Sequence, residues 1–229
     1  MISKIIHSIL SVIYPPTCKI CDSLLLVGEQ DICLHCINQI PLTRLSIKEN
    51  KAEKLFWGIV DIEKVYSFMY YEKGSNYAHL IHQLKYKGDY KLGLTLGKLM
   101  ATHAHKTFFD TIDILIPIPI HAQKLKQRGY NQAEWLCKGI QLVYPIAIRT
   151  DLIAKSTITD SQTTKGVYER RCNTDHVFTL INKEDLIGKH VLLVDDVLTT
   201  GSTLISCSLL LKEVENIKIS IITASLTYD

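Results

Sequence analysis

Val191-Leu192-Leu193-Val194-Asp195-Asp196-Val197-Leu198-Thr199-Thr200-Gly201-Ser202-Thr203 is the stretch whose reading decides the fold. Four apolar residues in a row read as a strand buried on both faces. The run ends in two carboxylates, a hydroxyl-rich loop with one glycine follows, and a helical pattern covers 202–212. Strand, loop and helix in that order build an open α/β sheet, whose ligands bind beyond the carboxyl ends of the strands. Thr199, Thr200, Gly201, Ser202 and Thr203 offer successive backbone N–H groups and four hydroxyls at a helix start, which is the chemistry of a phosphate cradle. Asp195 and Asp196 would repel that phosphate unless they bind something else, and two adjacent carboxylates suit the vicinal hydroxyls of a ribose. As residues following a buried strand they bring no packing benefit.

The flanking sequence repeats the alternation. Residues 59–71 read as strand-rich, 76–84 and 92–105 as helical, and 112–120 as a buried strand that breaks into a loop at its prolines. Residues 131–143 read as a helix, with Asn131 as N-cap and Glu134 placed for a capping box. Short strands follow at 146–148, 176–180 and 190–194, with a last one at 217–223, while 151–174 is polar and aperiodic and reads as a long loop. The expectation is a mostly parallel α/β sheet flanked by helices. Lys124, Lys126 and Arg128 fall in 114–133, between a strand and a helix and with no acid before Glu134. Arginine's planar fork suits phosphate oxygens.

The first 45 residues have a different character. Cys18-x-x-Cys21 and Cys33-x-x-Cys36 are two knuckles of the kind that closes a tetrahedral Cys₄ zinc site, although His35 could replace a cysteine. Four protein ligands leave no open position, so such a zinc is structural. Too little apolar sequence surrounds the knuckles for a core of their own, so the metal would supply folding free energy. Ahead of them, Ile2, Ile5, Ile6, Ile9 and Ile13 share one face of a helix that Pro15-Pro16 ends. That helix would dock on the protein's own core, or on a partner or membrane surface. The sequence thus divides into a metal module at 1–45 and an α/β domain at 46–229. Seven cysteines without a secretory signal point to a reducing, cytoplasmic setting. No apolar run reaches the ~18 residues of a membrane span. A net charge of +3 is too small to argue for nucleic acid by itself.

The thirteen residues 191–203 resemble the binding motif for 5-phosphoribosyl-1-pyrophosphate (PRPP) of type I phosphoribosyltransferases. The order of the Cys₄ module, Leu84-Lys85-Tyr86-Lys87-Gly88-Asp89, Pro117-Ile118-Pro119-Ile120-His121, Arg128-Gly129-Tyr130-Asn131-Gln132, Gln162, Arg170-Arg171, Asn173 and that motif is similar to the ComF family along nearly the whole chain. Thr174-Asp175-His176-Val177-Phe178 departs from it, lacking the family's usual glycine. The resemblance implies a type I phosphoribosyltransferase-like fold in which Asp195 and Asp196 take the ribose and Thr199 to Thr203 the 5-phosphate. It assigns the pyrophosphate to a loop holding Lys124, Lys126, Arg128 and Gly129, and gives Arg170 and Arg171 to a flexible closing loop. It also implies magnesium with PRPP, a DNA-uptake helicase as partner, and a role in competence. Single-stranded DNA is a weaker expectation, because Tyr130 and Tyr168 are the only aromatics among the basic stretches. Only five residues follow Ala224, so little room is expected for a base-recognising hood. The rival expectation is a PRPP- or nucleotide-sensing module that performs no transfer.

Overall fold

The computed structural model describes residues 15–44, 50–86, 89–155 and 178–227. The amphipathic pattern at 2–13, most of the long loop, and Arg170 and Arg171 lie outside them.

Five strands form one parallel sheet: β1 (Lys64–Tyr71), β2 (Ile114–Pro117), β3 (Ala147–Ile148), β6 (His190–Leu198) and β7 (Lys218–Thr227). Their order in space is β1-β7-β6-β2-β3. A two-stranded antiparallel ribbon of β4 (Ile153–Lys155) and β5 (Phe178–Leu180) stands beside it. The helices are α1 (Leu34–Asn38), α2 (Lys51–Lys54), α3 (Asn76–Tyr86), α4 (Tyr90–His103), α5 (Ala122–Arg128), α6 (Gln132–Gln141) and α7 (Ser202–Leu211).

The apolar run 191–194 is fully buried because both faces of β6 are covered. Leu192 and Val194 join a core with α3, α4 and α6, while Val191 and Leu193 join a second core with α7. α4 and α6 approach closely at paired glycines: a Cβ on Gly139 would stand 2.3 Å from the Leu94 carbonyl oxygen. Residues 41–44 and 50–53 run along the outer side of β1. Tyr70 N–H donates to Pro41 O at 2.8 Å, Thr43 N–H to Phe68 O at 3.2 Å and Asn50 Nδ2 to Val65 O at 2.6 Å.

Four sequence expectations need correction. The strand expected at 190–194 continues to Leu198, because β7 keeps pairing with it as far as Leu198↔Leu226. The stretch between β2 and α6 is not a plain loop but contains α5, capped by His121 and closed by Gly129 in a left-handed conformation at φ 80°. The long loop gives up residues 153–155 to β4. Asn131 caps α6 as expected, accepting from Ala133 N–H at 3.1 Å, but Glu134 reaches Lys138 at 2.8 Å instead of turning back.

Candidate functional site: a cleft at the sheet's switch point and a four-cysteine cluster

Sheet topology places the cleft. The connection leaving β2 runs outward to β3, whereas the one leaving β6 runs the opposite way to β7. Ligand crevices form where the winding reverses. β2 and β6 pair from Ile114↔Val191 to Pro117↔Val194 and then separate. Past Val194, β6 stays with β7 alone, so Asp195 and Asp196 stand on one bank, facing the chain that leaves β2 through Ile118 to His121. The cleft has a volume of about 160 Å³.

On the β6 bank the Asp196 N–H donates to the Asp195 carboxylate at 2.8 Å, and Ser225 Oγ donates to Asp196 O at 3.2 Å. Burial, then the charge of Asp196, push the Asp195 carboxyl up to about 8, against the pull of the Asp196 N–H, Lys85 and Lys155. Beyond them Gly201 turns the chain at φ 76° into α7, which no side chain caps in the usual way. Thr200 Oγ1 only approaches Ser202 N–H at 3.4 Å. The first-turn N–H groups of α7 therefore remain available to an anion.

The opposite bank is basic. Lys124 and Arg128 line it from α5, and Asn131 holds α6 against it by donating to Ile118 O at 2.9 Å. Of the residues expected from the sequence, Asp195, Asp196, Thr203, Lys124 and Arg128 share the cleft. Thr199, Thr200 and Ser202 are exposed at its rim, and Lys126 and Gly129 do not line it. Four polar cleft residues had no assigned role: Lys85, His121, Gln132 and Lys155. Lys85 and Gln132 lie in the quoted 84–89 and 128–132 motifs, but nothing in either motif says which side chain faces a ligand. Gln132 is buried, and its Nε2 has no hydrogen-bond acceptor among the described residues.

The second site is local. The four Sγ atoms of Cys18, Cys21, Cys33 and Cys36 lie within 4.8 Å of one another. Backbone N–H groups turn toward the sulfurs, Cys33 N to Cys18 Sγ at 3.3 Å and Cys36 N to Cys33 Sγ at 3.5 Å. Bonds from Ser23 bring Cys21 down to about 6. Four converging thiols, one already inclined to ionise, form a donor set that could hold a metal such as zinc. Cys18, Cys33 and Cys36 share the core of α3 and α4, so the cluster sits on the sheet domain. Among the described residues no helix is long and apolar enough to cross a membrane.

Residues 138–228 match the model of the phosphoribosyl transferase domain, a span that takes in the β6 bank and α7 but not the Lys124–Arg128 bank. Competence protein F of Haemophilus influenzae is 30% identical over 149 residues, 61% of this chain and 64% of that protein. DNA utilization protein YhgH of Escherichia coli O157:H7 is 30% identical over 136 residues, 58% of this chain and 59% of its own. Competence protein ComFC of Bacillus subtilis is 24% identical over 127 residues, 54% of this chain and 48% of its own. The chain therefore spans less than two thirds of the length of these relatives. Among solved structures, glutamine PRPP amidotransferase from B. subtilis overlaps with TM-score 0.39 and 15% identity, over 56% of this chain and 25% of that one. A Staphylococcus aureus hypoxanthine phosphoribosyltransferase overlaps with TM-score 0.34 and 18% identity, over 57% and 61%. Both structural overlaps are too loose to bear on function. The curated relatives, at up to 30% identity, together with the phosphoribosyl transferase domain, support the ComF family for this chain.

Proposed function

We propose that this chain binds PRPP with Mg²⁺ in the cleft between β2 and β6 and acts as a phosphoribosyltransferase of the ComF type in the handling of DNA. One observation carries the reading. At the sheet's switch point an acidic pair and an uncapped helix start face a basic bank, the charge pattern of a sugar carrying phosphates on both sides. In this reading Asp195 and Asp196 accept from the ribose hydroxyls, and Thr199 to Thr203 bind the 5-phosphate through α7's N–H groups. Lys124 and Arg128, with Lys126 and Gly129 behind them, meet the diphosphate, and Arg170 and Arg171 close over it. In transfer, the bond from ribose C1 to the diphosphate breaks, the diphosphate leaves with the electron pair, and an acceptor's lone pair takes its place. Cations on the basic bank stabilise the charge on the leaving group. Two carboxylates beside that bank give Mg²⁺ the hard oxygen donors it prefers, and the ion would supply further charge neutralisation. The four cysteines would hold a structural zinc, making residues 1–45 a metal-bound module on the domain 46–229.

The relatives' names, competence and DNA utilization, support the biological setting. Titration of PRPP with Mg²⁺ by calorimetry tests the site. Each charge-assisted hydrogen bond is worth roughly 1.5–3 kcal/mol, so Asp195→Ala with Asp196→Ala should weaken PRPP about 100-fold or more. Inorganic phosphate should still bind at α7. Unchanged PRPP affinity in a folded double variant would sink the proposal. Diphosphate release from PRPP separates a transferase from a sensor that only binds.

A further inference from the structure

The cleft contains a lysine from outside the 191–203 motif. Lys85 lies in the last turn of α3, and its Nζ stands 3.2 Å from Asp196 Oδ2. We infer that Lys85 is a binding residue of the cleft that exchanges partners: its ammonium neutralises Asp196 when no ligand is bound, and passes to a phosphate oxygen when a divalent cation takes that carboxylate. The inference rests on the PRPP–Mg²⁺ reading and adds a residue and a sequence of events to it.

Three observations support the exchange. First, the pair is open enough to break. Lys85 keeps 27% of its side-chain exposure and Asp196 12%, so the ammonium has a path to solvent while the carboxylate stays mostly buried. Second, Lys85 has a carboxylate on one side and a basic bank on the other. It lines the same cleft as Lys124, Arg128 and Lys155, a bank that would draw a polyanion to within reach of a flexible four-carbon stem. Third, the backbone carrying Lys85 is fixed. Tyr77 donates to Cys36 O at 3.0 Å and Gln83 Nε2 to Lys19 O at 3.3 Å, tying α3 to both cysteine knuckles. The Leu84 carbonyl accepts from the Tyr130 hydroxyl, tying the end of the helix to the segment between α5 and α6. Only the Lys85 side chain need move.

The charges balance through the exchange. A divalent cation brings two positive charges to a carboxylate that one ammonium had neutralised, and the released ammonium then faces a ligand rich in negative charge.

The test compares wild type with Lys85→Met, which keeps the stem and removes the charge, and with Lys85→Arg. The probes are Mn²⁺ alone, followed by its paramagnetic signal, and PRPP with Mg²⁺, followed by calorimetry. Without its competitor Asp196 should take Mn²⁺ about threefold more tightly or better, while loss of a charge-assisted contact should weaken Mg²⁺–PRPP about tenfold. Lys85→Arg should lie between wild type and Lys85→Met in both. A residue that merely supported the fold would move both affinities the same way or neither. Either result, with wild type binding PRPP normally, overturns the inference and leaves the PRPP reading intact. Failure of wild type to bind PRPP overturns that reading and the exchange with it.

Discussion

The cysteine cluster and the cleft are both polar sites, yet they are assembled in opposite ways. The cluster draws its four side chains from nineteen consecutive residues, 18–36, and its geometry is set by two knuckles whose own N–H groups bond the sulfurs. The cleft draws on α3, the chain after β2, α5, α6, β4, β6 and α7, and exists because two neighbouring strands part company after Val194. A local site is written in residue spacing. A topological site is written in the sheet and is sensitive to packing far from its ligand.

The largest effect should come from breaking the local site. With the proposed zinc bound, Cys33→Ser with Cys36→Ser should reduce the metal from about one equivalent per chain to none, since two ligands cannot close a tetrahedron. Zinc sites of this type contribute on the order of 10 kcal/mol to small modules, so the apolar contacts of Cys18, Ile20, Ile32 and Ile40 with the main core should loosen with it. Metal analysis and thermal unfolding of the double variant check both. Full metal retention would show that the knuckles are not the ligands.

An intermediate effect should come from packing behind the topological site. Gly139→Ala puts a methyl 2.3 Å from Leu94 O and forces α4 and α6 apart. Overpacking of this kind costs about 3 kcal/mol. α6 also carries Gln132 to the cleft, and its cap Asn131 bonds the Ile118 carbonyl there, so PRPP binding should weaken although residue 139 does not line it. Urea unfolding beside calorimetry tests the pair of effects. A stable variant with normal binding would mean the cleft is insulated from that packing.

A third effect is a pH dependence. Burial and the neighbouring Asp196 push Asp195 up to about 8 in the fold, against about 3.9 for an ordinary aspartate. Below pH ~4 it is protonated in both states and carries no penalty. Between ~4 and ~8 the unfolded chain releases a proton that the fold retains, so stability falls as pH rises and levels off above ~8. Asp195→Asn should flatten that slope in unfolding curves taken across the range, and an unchanged slope would assign it to other groups.

This contrast also explains what the sequence made legible. β6, α7 and the knuckles were readable because each is contiguous: an apolar run, an N-terminal loop, a pair of spacings. The α5 helix was not, because Ala122 to Arg128 has one large apolar side chain, Leu125, and that is exposed, so no amphipathic period exists to be seen. Three-residue β4 was too short for an alternation to register against a polar background. Lys85 could be recognised as part of a motif but not as a cleft residue, since its partner Asp196 is reached only through the packing of α3 on the sheet. Conversely, Lys126 looked equivalent to Lys124 and Arg128 in a loop, and the turn of α5 separates them.

The bonds along the outer side of β1 bear on how this protein can be cut. Thr43 and Pro41 occupy the Phe68 carbonyl and the Tyr70 N–H, and Thr43 Oγ1 donates to Ser67 O. A fragment beginning after the cysteine module, at residue 46, would keep Asn50 against Val65 but strip the cover from 67–70. It would then present a bare strand edge at Ser67-Phe68-Met69-Tyr70, a template on which a strand from another molecule could grow. The segment that leads out of the cysteine cluster thus covers a strand edge, and a cut at 46 would expose it.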